Sequence, residues 1–128
     1  MDRKIRQKGT ALVEFALVLP IFILIVIGTI EFGIVLDDFL ILQNASREGA
    51  RFAAIGNTTA DVQQRVRDYS FRLNTKNLTV NVTNAAGTRG TTVTVQASYP
   101  VPLLTVLMKS IVKSSTFNLN AKSDMRLE

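Results

Sequence analysis

Between Phe15 and Ile30 the chain carries no charged side chain, and Leu, Ile, Val and Phe fill most of those positions. No other feature limits the fold so strongly. At about 1.5 Å per residue, roughly 20 helical residues cross the hydrocarbon core of a bilayer. Residues 15–36 meet that length, with Glu31 near the far end, where an interface or a partner would solvate it. Apolar residues make up 47% of the 128, and this arm holds a disproportionate share of them. Setting aside residues 1–36 leaves 92 residues to build a core, a small domain. The chain is therefore one small domain carrying an apolar arm.

What the chain lacks narrows its chemistry. Cys is absent, which excludes disulfide staples and thiolate metal sites. His is absent too, removing the commonest general base and metal ligand. No catalytic constellation appears, and we expect no enzyme, no metal site and no cofactor. Asp37-Asp38 is an acidic pair, but adjacent residues on a helix do not face one another. The formal charge of +5 suggests nucleic acid until its distribution is considered. Residues 1–9 hold Arg3, Lys4, Arg6 and Lys8 against Asp2 alone, so most of the excess belongs to a short leader. Elsewhere the basic residues form no dense run and no recognisable nucleic-acid motif, and we expect no such partner. A basic leader ahead of an apolar span sets orientation instead, holding the amino terminus in the cytoplasm and placing residues after Asp37 outside.

Three readings of the arm compete. A secretory signal has an apolar stretch of about 7–15 residues followed by a small-x-small cleavage site. Here the stretch is longer, and Gly28-Thr29-Ile30-Glu31 is a poor site. A plain membrane anchor fits the length but gives Glu14 no purpose. Charges within membrane helices are costly and usually mark a function or a partner. The third reading takes Gly9 and Glu14 together: a basic leader, a glycine, a glutamate five residues on, then a long apolar helix.

That arrangement resembles the class III signal of type IV pilins and pseudopilins. The closer resemblance is to the TadE-like family of tight-adherence (Tad/Flp) pilus systems. Gly-Thr-Ala-Leu-Val-Glu-Phe-Ala-Leu-Val-Leu-Pro at 9–20 looks like the family's opening. Glu31-Phe32-Gly33 and Asn44-Ala45-Ser46-Arg47-Glu48-Gly49-Ala50-Arg51 look like its later signatures. The resemblance covers about the first 55 residues. It implies a minor pseudopilin, cut by a membrane prepilin peptidase between Gly9 and Thr10 and assembled through its helix into, or at the base or tip of, a Tad pilus used in cell adhesion. The implied partners are other pilins or pseudopilins, the prepilin peptidase, the inner-membrane assembly platform and, through it, a cytoplasmic ATPase. The implied location is the bacterial inner membrane before assembly and the extracellular pilus afterwards.

Cleavage would free the α-amine of Thr10, whose ordinary pKa near 8 keeps it largely protonated at neutral pH. Glu14 then has a counter-charge, and each group stabilises the ionised form of the other. Within one helix, residues four apart meet; between two helices, the same pair fixes axial register. The resemblance favours the second, with Glu14 meeting the Thr10 amine of a neighbour. Acidic residues also suit helix starts through the macrodipole, which is the plainer reading. Pro20 lies inside the run, where it removes a hydrogen bond and kinks or loosens the helix, or is a harmless membrane proline.

From Asp37 to Ala54 helix formers continue without proline, so the long helix is expected to run on beyond the membrane. Ala45, Gly49 and Ala53 recur every four residues as a narrow strip, suited either to helix association or to packing on the chain's own sheet. Arg47, Glu48 and Arg51 form a solvated or salt-bridged flank. Gly56-Asn57 ends the helix, and Thr58 with Asp61 starts a second one. Val62, Val66, Tyr69 and Leu73 give that helix a core-facing stripe, opposite Gln64, Arg65 and Arg72. The period then changes to two. Leu78, Val80 and Val82 form one strand, and Val93, Val95, Ala97 and Tyr99 a second that Pro100 and Pro102 stop. Phe117, Leu119, Ala121, Ser123 and Met125 form a third. Between these last two, residues 103–113 present Leu103, Leu104, Leu107, Met108 and Ile111 as an apolar face that either caps the core or lies on the membrane.

The expected fold is α+β: a long pilin-like amino-terminal helix, membrane-spanning in its first half, with a second helix on a small antiparallel sheet of about three strands. Residues 1–9 are the leader, 10–36 the transmembrane and assembly helix, and 37–128 the extracytoplasmic domain. The rival reading is an uncleaved single-pass anchor bearing a binding module.

Overall fold

The computed structural model describes residues 2–103, 105, 109–110 and 113–128, residues 2–8 through their backbone. Helix α1 (Asp2–Ala54) is followed by α2 (Thr59–Tyr69), a 3₁₀ turn (Thr75–Asn77) and strands β1 (Thr79–Thr83), β2 (Thr92–Pro102) and β3 (Thr116–Arg126). The fold is α+β, and the chain divides into two compact units, Met1–Gly33 and Ile34–Glu128.

In the C-terminal unit the three strands form one antiparallel sheet in the order β1-β2-β3. Alternation decides which face is dry. Val80 pairs with Ala97 and Ala97 with Ala121, while Val82 pairs with Val95 and Val95 with Ser123. The intervening residues, such as Asn81, Gln96 and Lys122, share the opposite, polar face. Against the apolar face lie α2, through the fully buried Val62 and Val66, and the rear of α1, through Leu42, Ala45, Ala50 and Ala53. The α1 face is built almost wholly of small residues, which lets the helix backbone sit close to the sheet. Ser46 belongs to it and is fully buried. Its hydroxyl donates to the Gln43 carbonyl at 2.9 Å, so at the 2.9 Å contact with Ser123 it accepts, and Ser123 donates.

The element ends follow local chemistry. Gly56, at φ +90, turns the chain out of α1 and donates its N–H to the Ala53 carbonyl, and the Asn57 side chain donates to the Phe52 carbonyl. Thr58 caps α2: its Oγ1 accepts from the Asp61 N–H at 3.3 Å, and its hydroxyl donates to the Asp61 carboxylate at 2.7 Å. On the sheet, Thr94 donates to Asp124 at 2.6 Å. That bond, with the Lys122 ammonium beside it, holds the exposed Asp124 carboxyl below its ordinary range.

Three expectations need correction. Pro100 and Pro102 do not stop β2; both lie within it, paired with Asn118 and Thr116 of β3. The reason is that β1 pairs with β2 only as far as Ser98. Beyond that residue one side of β2 is an open edge, where a missing N–H costs no ladder bond. Tyr69 is not core: α2 ends there, the chain turns at the buried Ser70, and Tyr69 is about half exposed. Phe117 and Met125 lie at the two ends of β3 and are partly exposed, leaving Leu119 and Ala121 as that strand's contribution to the core. Of the apolar face expected of 103–113, Leu103 is buried, and Leu104, Leu107, Met108 and Ile111 lie outside the described residues.

Candidate functional site

The amino-terminal unit presents an unusual surface. From Leu12 to Phe32 large apolar side chains point outward along α1, with Leu17 70% and Phe15 63% exposed. The helix is long and apolar enough to cross a membrane, and none of its most apolar window is buried within the chain. A continuous apolar surface of this kind does not stand in water; lipid or other helices must cover it.

Gly9 and Thr10 lie within α1, and both are exposed. The bond between them is therefore part of a helix. Glycine inside a helix costs roughly 0.5–1 kcal/mol relative to alanine, so its use normally has a reason. Packing supplies no such reason among the described residues: a Cβ built at Gly9 meets nothing within 4 Å. Glu14 sits one turn further on, four residues from Thr10 and on the same side of the helix. It is exposed among Val13, Phe15, Leu17 and Val18, and among the described residues it makes no ion pair. In the untrimmed chain α1 begins at Asp2, so Glu14 does not cap a helix end there. Pro20 also lies inside α1, which runs through it; having no N–H, it leaves the Ala16 carbonyl without its usual donor.

Gly49 is the opposite of Gly9. A Cβ there would overlap the Val66 Cγ2 methyl and lie 3.4 Å from Val95 Cγ1 and 3.8 Å from Val62 Cγ1. Ala45 and Ala53, one turn to either side, are fully buried. This strip thus faces α2 and β2 of the same chain, and the glycine is what permits their approach. Beside it Glu48 binds Arg51 at 3.4 Å and Arg65 at 3.2 Å, while Asp37 binds Arg72 at 2.9 Å.

Comparison with known proteins gives one positive result. Residues 9–51 match the TadE-like protein family. No curated protein and no solved structure matches the chain. The TadE-like segment covers about a third of the sequence; it starts on Gly9, excludes the basic leader, and includes Thr10, Glu14, Pro20, Glu31, Ala45 and Gly49. Within it, α1 supplies two different surfaces. The first, up to Phe32, is apolar and uncovered; the second, from Leu42 onward, is small-sided and buried. Of the two settings expected for Glu31, an interface or a partner, the structure has it 4% exposed and engaged. Arg65, placed on the solvent side of α2 by periodicity, instead lies over the rings of Phe52 and Tyr69 and binds Glu48. Only the i, i+4 distance from Tyr69 hinted at this in the sequence.

Proposed function

We propose that the chain is a pilus-associated, TadE-like pseudopilin of a Tad system, trimmed after Gly9 by a prepilin peptidase and assembled through residues 10–36. One observation carries the reading: Gly9, Glu14 and the apolar surface around them have no counterpart among the described residues, and all lie in the segment that matches the family. The residues that the fold does explain, Ala45 and Gly49, are packed inside it. Those it does not explain are available to other molecules.

In this account the leader stays in the cytoplasm, residues 10–36 cross the inner membrane, and residues 37–128 lie outside until assembly carries the subunit into the pilus. Helix packing holds the subunits together once outside lipid, where exposing that apolar surface to water again would cost about 25 cal/mol per Å². Glu14 supplies register. An apolar helix surface slides along its neighbour with little change in energy, whereas a carboxylate surrounded by hydrocarbon demands one partner at one height. The ammonium group of Thr10 on an adjacent subunit is that partner. Pro20 loosens one turn and lets the helix adjust as it leaves the bilayer. The remaining partners are other pilins and the membrane platform.

Glu14→Ala tests the register role. The variant should still be trimmed, and its recovery in sheared pili, measured by immunoblot against total protein, should fall about tenfold or more, since an unpaired buried ammonium is strongly destabilising. Recovery at the wild-type level, with trimming intact, contradicts the role.

A further inference from the structure

Within the C-terminal unit a cleft of about 590 Å³ opens between the end of α1, α2 and the end of β3. Its walls combine apolar side chains, Phe52, Ile55 and Met125, with the guanidinium groups of Arg51, Arg65 and Arg126. Two carboxylates, Glu48 and Glu128, line it as well. Ile55 is two-thirds exposed and Met125 over a third, so part of the apolar lining faces open solvent.

Arg65 is held in place on several sides. Its guanidinium carbon lies 5.2 Å from the Phe52 ring centre and 5.0 Å from that of Tyr69, and its Nη2 donates to Glu48 at 3.2 Å. Its Nε is buried and lacks a hydrogen-bond partner among the described residues. A stranded donor on a fixed, charged group beside an open cleft favours an incoming acceptor. Arg51 is largely exposed and shares Glu48 with Arg65, while Arg126 is tied by its Nε to the Gly90 carbonyl at 2.9 Å. Around Glu48 two guanidinium groups share one carboxylate, which leaves positive charge in excess beside the apolar lining. One incoming carboxylate neutralises that excess; a doubly charged phosphate would exceed it.

We propose that this cleft docks a short segment of another polypeptide that presents a carboxylate next to an apolar side chain. The carboxylate takes the arginines, with Arg51 and Arg126 closing on it, and the apolar side chain covers Phe52, Ile55 and Met125. Arg65 acts as the rigid centre, since its stacked guanidinium loses little freedom on binding. The inference uses only residues of the C-terminal unit and stands apart from trimming at Gly9.

The test places photoreactive benzoylphenylalanine at position 55 of the full chain in its native cells and maps irradiation adducts by mass spectrometry. The expected adduct joins position 55 to a segment of another protein with Asp or Glu within a few residues of an apolar side chain. Arg51→Gln with Arg126→Gln should lower its yield about fivefold or more, and Arg51→Lys with Arg126→Lys should recover part of the loss. If the double glutamine variant melts early, Met125→Glu, which adds a repelling carboxylate at an exposed site, should lower the yield in its place. Absence of an intermolecular adduct overturns the proposal. So does an adduct confined to lipid, one to a segment lacking acidic residues (a second copy of this chain included), or an acidic adduct that neither substitution weakens.

Discussion

Gly49→Leu should leave the C-terminal unit unable to close around its core. Even the single carbon of Gly49→Ala would overlap Val66 Cγ2, and Val66 is itself fully buried between α1 and the sheet. Valine is stiff about χ1, so the overlap is relieved only by moving α1 outward from β2 and α2. Overpacking of this kind costs about 1–3 kcal/mol, occasionally more, and for alanine it opposes a gain of up to about 1 kcal/mol in helix propensity. Leucine adds three further carbons with no space to enter. Its cost should exceed about 3 kcal/mol, a large share of the 5–15 kcal/mol that holds a typical domain together. Urea unfolding followed by hydrogen exchange at the β2 amides measures the loss, and Val66→Ala should restore part of the stability of Gly49→Ala. Wild-type stability in Gly49→Leu would mean that α1 does not pack as closely as described.

The second large effect is expected at Gly9. Gly9→Leu should reduce trimming by more than about tenfold while leaving membrane insertion unchanged, because one added leucine strengthens rather than weakens an apolar helix. Among the described residues nothing opposes a side chain there. The restriction therefore lies in whatever handles the Gly9–Thr10 bond. Glycine also makes local unwinding easier, since it gives up helical order at less cost than any residue but proline. Leucine removes both advantages, whereas Gly9→Ala removes the second and adds only one carbon, so its effect should be smaller. Gel mobility of the membrane-bound chain separates trimmed from untrimmed forms. Normal trimming of Gly9→Leu would dismiss the peptidase.

Much of this was legible because it is local. The apolar run, the Thr58 cap, the Gly56 turn and the alternation of β1 to β3 depend on neighbours a few positions away, and the structure contains all of them. Misreadings arose where distant segments decide the outcome. Pro100 and Pro102 sit within a strand because β1 is short, a fact about residues 79–83 and not about the prolines. Tyr69 leaves the core because the chain turns at Ser70. The strip through Ala45, Gly49 and Ala53 suited two packings from sequence alone; which surface it meets depended on where Val66 and Val95 come to lie. The Arg-walled cleft draws on α1, α2 and the end of β3 and has no sequence signature. Gly9 and Glu14 stood out by residue type and spacing, and the structure adds that the chain itself supplies them with nothing to contact or pair with among the described residues.

The central claim is that a new ammonium group is created at Thr10 and bound by Glu14 of the next subunit. The mass of the intact chain isolated from functional pili tests it most directly. The account predicts a polypeptide whose first residue is Thr10; the same polypeptide recovered from those pili with residues 1–9 still attached would contradict it.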